Sequence, residues 1–345
     1  MQVLLHPRRR RLEVAEVAVP DPAPGEALVR VRYCGICGSD LSVFESGALA
    51  GPGVVLGHEV VGTVEVDTTG THSPGSRVVI YPPVGCGTCH WCRAGHPRHC
   101  LDPRVPLGGF AQYVAVPAAH LVPVPDEIGD ETAALADPVG VAVRAVRLAG
   151  PPRGSPVFVS GLGPIGLCVV SVLAERGCRV VATEPNPARA RMGERLGAEA
   201  VIDPGAEDVY EAGRDLDPAG FRCAFECSGV PEALQQIFDV CGPLGTVMVL
   251  GIPKEPVLLL RVTTREQTVR SISGPDLTSM AHALHHLNRH RELAAIVSDV
   301  VGLEEAERVF AELIREPSDR IKVLIDPHRD RGRSVFDVEF RQAIL

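Results

Sequence analysis

The run Gly161-Leu-Gly163-Pro-Ile-Gly166 constrains the fold more than any other stretch of the chain. It follows the apolar, strand-like segment Val157–Ser160 and opens an apolar, helix-like segment that continues to about Arg176. In that context the spacing marks a strand that turns directly into a helix, with the first helical amides free to hold a pyrophosphate. Gly161 permits the tight turn, Gly163 lets the backbone approach the ligand, and Gly166 lets the helix lie close to the sheet. Pro164 and Ile165 complete the candidate dinucleotide loop. Strand-like and helix-length segments then alternate: Arg179–Thr183, a helix over about 187–197, Ala200–Ile202, Cys223–Glu226, a helix over about 231–240 and Thr246–Gly251. That alternation predicts an α/β unit with a doubly wound parallel sheet. An apolar run around Val257–Leu260 is expected to form its edge strand.

The second strand of this unit ends at Glu184, 18 residues after Gly166. A carboxylate there accepts hydrogen bonds from the adenosine ribose hydroxyls and repels a 2′-phosphate. No Arg follows it directly, so NAD is favoured over NADP. Arg189 has two readings, a residue over the adenine or a solvated helix side chain.

The chain before this unit has a different texture. Segments such as Ala27–Tyr33, Val60–Val66, Arg77–Tyr81 and Phe110–Val116 are short, alternate in polarity and are separated by Gly and Pro, as in a β-rich unit. Within it, Cys86, Cys89, Cys92 and Cys100 fall in fifteen residues. Four thiolates so close can surround one tetrahedral zinc, and a closed set of four leaves no position for substrate, so this ion would be structural. An iron–sulfur cluster fits less well, because the fourth Cys comes seven residues after the third and lacks the following Pro. Of the 11 cysteines, Cys168, Cys178, Cys223, Cys227 and Cys241 are scattered among apolar residues and are expected to be core positions.

Cys37 and His58-Glu59, about twenty residues apart, are read either as part of a second metal site or as a buried cysteine and a hydrogen-bonded core histidine. Thiolate and imidazole suit zinc. Asp40 could accept the second N–H of a zinc-bound His58, and Ser39 could take a proton from a metal-bound oxygen. The net charge of −9 argues against nucleic acid or an anionic membrane as partner. The basic run Arg8–Arg11 is read as a solvated turn between two strands. No run of 18 apolar residues is present and no leader pattern opens the chain, giving the expectation of a cytoplasmic protein.

Gly35-Ile-Cys-Gly-Ser-Asp40, Gly57-His-Glu59, the four-cysteine lobe, Gly108-Gly-Phe-Ala111 and the glycine loop, in this order, resemble the zinc-containing medium-chain dehydrogenases. Within that alcohol dehydrogenase family the resemblance is to the polyol (sorbitol) and threonine branch, and it covers about residues 1–326. It implies a GroES-like catalytic domain over 1–146 with the zinc lobe at 85–101. A Rossmann domain over 147–280 and a return to the catalytic domain over 281–345 would follow. It also implies two zinc ions per chain, NAD, a small-molecule alcohol or ketone substrate, and a homodimer or homotetramer. Cys37 and His58 would ligate the catalytic zinc, with Glu59 a direct or exchangeable ligand and Asp137 a further contact, direct or through water.

The sequence departs from the family pattern at four places. Asp137-Pro138 stands where Glu-Pro is commoner. Ser42 stands where a relay His is frequent, so the proton would leave through a hydroxyl and water rather than a base. The segment between Cys100 and Gly108 is short, and a tail extends past Pro327. The triplet Asp40-Leu-Ser42 is similar to cyclitol dehydrogenases of aminoglycoside pathways, such as those acting on 2-deoxy-scyllo-inosamine. The expected activity is oxidation of a secondary alcohol of a polyol, cyclitol or amino-cyclitol. The alternatives are a threonine- or sugar-acid-type dehydrogenase, or a silent NAD-binding scaffold.

Overall fold

The computed structural model describes residues 1–48, 51, 53–83, 85–102, 108–315 and 319–329. The segment between Cys100 and Gly108 lies mostly outside the described residues, and so does nearly all of the tail after Pro327.

Two sheets organise the chain. The first is built on Glu26–Gly35, which pairs antiparallel with Glu59–Asp67 on one side, and with Tyr113–Pro117 and the end of Lys322–Ile325 on the other. Arg77–Ile80 and Leu121–Pro123 extend the sheet past Glu59–Asp67. The C-terminal strands Val297–Val301 and Lys322–Ile325 are parallel to each other, and the second sets Leu324 opposite Gly35. The chain therefore returns to its first sheet after building the second. The β-rich region also carries the helix Gly38–Ser46 and a one-turn helix His90–Arg93 in the cysteine lobe.

The second sheet runs Ala198–Ile202, Arg179–Thr183, Pro156–Ser160, Phe221–Glu226, Cys241–Val249, Thr268–Ser271, all parallel. Numbered along the chain this is the 3-2-1-4-5-6 order, whose ligand crevice opens where the winding reverses, between Pro156–Ser160 and Phe221–Glu226. One apolar core joins the sheets. It includes Tyr33, Val61 and Val79 from the first, and Val157, Leu167 and Val180 from the second unit. The helices Ala136–Ala149 and Val209–Leu216 add to the expected elements. Both lack a strong apolar period in their first turns, where Asp137-Pro138 and Tyr210-Glu211 fall.

The edge strand is not at Val257–Leu260. That run leads into a short helix, Leu260–Thr264, and the edge strand is Thr268–Ser271. The reason is an anchor just before the strand. The buried Gln267 amide donates to the carbonyls of Phe238 and Cys241 at 2.9 and 2.7 Å, which fixes the chain beside Cys241–Val249. Leu258 and Leu260 are left exposed. The basic run does form a turn between Gln2–Arg8 and Arg11–Glu16. Two of its four charges are matched by carboxylates, Arg10 by Glu45 and Arg11 by Glu13 and Glu307. Cys168, Cys178, Cys223 and Cys241 are buried and Cys227 half-buried, all as free thiols. No helix among the described residues is long and apolar enough to cross a membrane.

Candidate active site

Cys37 is the N-cap of the helix Gly38–Ser46. Asp40, in the first turn, accepts the Cys37 amide at 2.9 Å and the Gly57 amide at 3.3 Å, so one buried carboxylate ties the helix start to the Gly57–Glu59 turn. Its Oδ1 also stands 3.5 Å from His58 Nδ1. Ser39 and Ser42 lie three apart on the same helix, both half-buried. Donor atoms of Cys37, His58 and Glu59 come within 4.8 Å of one another. Burial alone would lower the His58 pKa, but Asp40 and the Cys37 sulfur raise it well above the ordinary value. A cation is thus favoured among these groups, and a zinc ion fits the donor set.

Asp137 lies outside that three-residue group. It sits in the first turn of Ala136–Ala149, whose N-cap is Leu135, so its carboxylate does not cap the helix. The side chain is buried and Oδ2 has no hydrogen-bond partner. Burial raises its pKa to about 6, against the pull of His58 and Arg98. An orphaned acceptor beside the metal cluster suits a bound hydroxyl, water or ammonium.

Two cations near the cluster were not visible in the sequence. Lys322, at the start of the last described strand, is buried with its ammonium paired to the Glu59 carboxylate and donating to the Ile36 carbonyl at 2.8 Å. Burial alone would drive off its proton, but Glu59 and Cys37 hold its pKa above the ordinary value. No local pattern announces such a partner, because Lys322 and Ile36 are 286 residues apart. Arg98 comes from the cysteine lobe, donates to the Pro275 carbonyl at 3.4 Å and faces Asp137 and Tyr81. Lys322→Met would leave Glu59 buried and uncompensated. It is expected to destabilise the zinc-free fold by about 3–5 kcal/mol, read as a lower denaturant midpoint after chelation. Adding Glu59→Gln should recover part of that loss.

Cys86, Cys89, Cys92 and Cys100 converge in their lobe with sulfurs within 4.8 Å of one another. The Cys86 amide points at Cys100 Sγ at 3.1 Å and the Cys89 amide at Cys86 Sγ at 3.3 Å. The Thr88 hydroxyl and nearby amides lower Cys86 to about 6, while desolvation and the neighbouring thiols push Cys92 up to about 12. Four sulfurs that cannot all ionise without a cation, with amides aimed at them, fit a thiolate-bound zinc.

In the second unit, Gly161 turns with φ +86° against Ser228, and an added Cβ on Gly166 would stand 1.9 Å from the Gly161 carbonyl oxygen. The close approach that Gly166 serves is therefore to its own turn rather than to the sheet. Gly163 is the extended N-cap, with nothing within 4 Å of where a Cβ would be, and Pro164 and Ile165 begin the helix. Glu184 accepts the Leu162 amide at 2.7 Å and the Asn186 amide at 3.0 Å, which sets its carboxylate against the glycine loop. Arg189 donates to the Arg320 carbonyl at 2.8 Å. Across the crevice, buried Glu226 closes the Cys227–Gly229 turn by accepting the Ser228 and Gly229 amides at 2.7 and 2.9 Å. It too escaped the sequence reading, where Glu226-Cys-Ser-Gly at a strand end was its only signal.

These arrangements agree with what the chain is similar to. Residues 23–126 match the alcohol dehydrogenase GroES-like domain and residues 164–289 the zinc-binding dehydrogenase family. An L-threonine 3-dehydrogenase from Pyrococcus horikoshii is 36% identical over 321 residues, covering 88% of this chain and 92% of that protein. A Sinorhizobium meliloti protein solved bound to NADP superposes with a TM-score of 0.85 at 29% identity, covering 94% of this chain and 99% of that one. L-idonate 5-dehydrogenase from Escherichia coli gives 0.83 at 25%, covering 94% and 97%. With a GroES-like sheet, a parallel sheet wound as in dinucleotide-binding folds, and thiol clusters suited to zinc, the chain is a nicotinamide-dependent oxidoreductase. It belongs to the zinc-containing medium-chain alcohol dehydrogenase family, in its threonine- and polyol-dehydrogenase-like branch.

Proposed function

We propose that the chain interconverts a secondary alcohol of a polyol, cyclitol or amino-cyclitol with its ketone, using NAD(H). The observation that carries this reading is the convergence of Cys37, His58 and Glu59 beside the unpartnered Oδ2 of Asp137. When bound, zinc supplies Lewis acidity toward the alcohol oxygen, and the nicotinamide accepts or returns the hydride. Cys37 and His58 hold the metal, with Glu59 as a direct or exchangeable third ligand. Asp40 fixes the orientation and tautomer of His58. Ser39 receives the hydroxyl proton, and Ser42 passes it on through water. Asp137 accepts a hydrogen bond from a hydroxyl or ammonium next to the reacting carbon. In the lobe, Cys86, Cys89, Cys92 and Cys100 hold a second, structural zinc.

The glycine loop with Pro164 and Ile165 seats the pyrophosphate, and Glu184 accepts the ribose hydroxyls. The amides that fix the Glu184 carboxylate in place support NAD over NADP. Residues 1–146 and 281–345 read as one catalytic unit around the cofactor unit 147–280, supported by strands from both chain ends in the first sheet. The exposed edge Thr268–Ser271 and the nearby Leu258 fit pairing with a second copy, giving a homodimer or homotetramer. Cysteines that hold zinc as thiolates suit a reducing, cytoplasmic setting.

A second reading is a threonine- or sugar-acid-type substrate. It is favoured by Arg98, whose guanidinium faces Asp137 and could meet a substrate carboxylate. NADH formation across polyols, cyclitols, amino-cyclitols, L-threonine and sugar acids separates the two. The first reading expects the highest kcat/KM on a carboxylate-free ring or chain polyol, and at least about tenfold less with NADP. A clear preference for L-threonine or a sugar acid replaces it with the second. No turnover of any member overturns both.

A further inference from the structure

The Pro164–Arg176 helix and the Leu277–Arg289 helix meet in a cluster that the proposed chemistry does not use. Glu175 lies on the first, with His286 on the second and His290 at its C-cap. The two histidines are four apart, the spacing that brings two imidazoles to one face of a helix to share an ion. Their rings stack at 4.3 Å. His286 Nδ1 is 2.6 Å from Glu175 Oε2, and His290 Nε2 is 3.4 Å from Glu175 Oε1. One donor atom from each residue lies within 4.8 Å of the others. We propose that Glu175, His286 and His290 form a further divalent-metal site, taking zinc or a similar first-row transition ion and separate from both cysteine-containing sites.

The outer side of each ring supports this assignment. His286 Nε2 meets the Ser171 hydroxyl at 2.9 Å, and His290 Nδ1 meets Glu292 at 3.1 Å. Each imidazole thus turns one nitrogen inward to Glu175 and holds the other on an oxygen, as metal-binding histidines do. The Ser171 hydroxyl can accept as well as donate, so His286 can place its proton on Nε2 and free Nδ1 for an ion. His290 Nε2 is buried without a hydrogen-bond partner. With Nδ1–H given to Glu292, that nitrogen presents a lone pair toward another acceptor, and a cation between them resolves the conflict.

Zinc held at about 2.0–2.2 Å by nitrogen and carboxylate oxygen needs donors roughly 3.3 Å apart, so the 2.6 Å His286–Glu175 pair would open while donors spread over as much as 4.8 Å close in. Glu175 and His290 are about one quarter exposed, at 26% and 25%, which leaves a pole open for water and for entry of the ion. Arg289 is the competitor. It donates to Glu175 Oε1 at 2.8 Å, but its side chain is 59% exposed and can swing away. The simpler alternative is a hydrogen-bonded clamp in which a proton, not a metal, sits between His290 and Glu175. A bound ion would tie the helix behind the glycine loop to the segment that leads, through Arg291–Ile296, into Val297–Val301 of the other sheet.

The test loads the full-length, tag-free protein with two equivalents of zinc per chain, which fill the two thiolate sites first, then adds cobalt(II) and follows the visible spectrum, bound metal and melting temperature. One cobalt per chain is expected to bind with d–d absorption but no thiolate charge-transfer band, and to raise the melting temperature. Cobalt entering either cysteine-containing site is told apart by its thiolate band. His290→Ala and Glu175→Gln should each weaken this binding at least about tenfold while leaving the loaded zinc content unchanged. Absence of thiolate-free cobalt binding up to about 1 mM overturns the site. Equal binding by wild type and His290→Ala does the same.

Discussion

Cys37→Ser is expected to lower kcat/KM by at least about 1,000-fold, equivalent to about 4 kcal/mol of transition-state stabilisation, while the affinity for NADH changes little. The substitution separates chemistry from folding. Cys37 is the N-cap of Gly38–Ser46, a position where serine is among the favoured residues. Its amide can still donate to Asp40, so the tie between the helix and the Gly57 turn survives. What disappears is the thiolate, a far better zinc ligand than a neutral hydroxyl. The glycine loop lies on the other sheet and keeps its geometry. Steady-state kinetics with NADH fluorescence titration and metal analysis check this. Near-normal turnover by Cys37→Ser would sink the zinc-catalysis reading.

Gly166→Ala should produce the largest loss in cofactor binding. Its Cβ would stand 1.9 Å from the Gly161 carbonyl oxygen and 2.9 Å from the carbonyl carbon, both backbone atoms. The turn must open to admit it. Gly161 cannot yield easily, since its amide donates to the Thr183 carbonyl at 2.9 Å and the Ser228 backbone stands too near for it to move that way. Displaced loop amides no longer converge on one phosphate position. NADH affinity is expected to fall at least about tenfold, with about 1–3 kcal/mol lost in stability from the overpacking. Gly163→Ala is the control. An added Cβ there meets nothing within 4 Å in the free protein, so its effect should appear only on cofactor binding.

The legible parts of the molecule were those written in local spacing. Four cysteines within fifteen residues, three glycines between a strand and a helix, and alternating strand and helix segments each state their geometry without distant help. The parallel sheet and the thiol lobe follow directly from them. Lys322, Arg98 and Glu226 stayed hidden because their meaning lies in burial and long-range pairing. A lysine in a short apolar strand carries no sign that its ammonium will meet Glu59. The edge strand was misplaced for a related reason. The leucines at 258–260 satisfy a local rule for strands, whereas Thr268–Ser271 is selected by the anchoring of Gln267 from a neighbouring strand. Asp137 is the intermediate case, a position suggested by resemblance whose carboxylate is buried and unpartnered beside the three-residue cluster.

The pairing of Lys322 with Glu59 bears on the order in which the protein can be assembled. The N-terminal half of the metal cluster leaves the ribosome long before the lysine that neutralises its carboxylate. Until then Glu59 either stays hydrated, holding its turn open, or enters the interior uncompensated. Closing a contact between residues as far apart in the chain as Glu59 and Lys322 carries a loop-closure cost, and the strands of the parallel sheet lie in the sequence between them. The countercharge of Glu59 is therefore among the last parts of the pocket to be synthesised. A chain that ends before Lys322 would lack both the Glu59 countercharge and the strand Lys322–Ile325 that pairs with Glu26–Gly35.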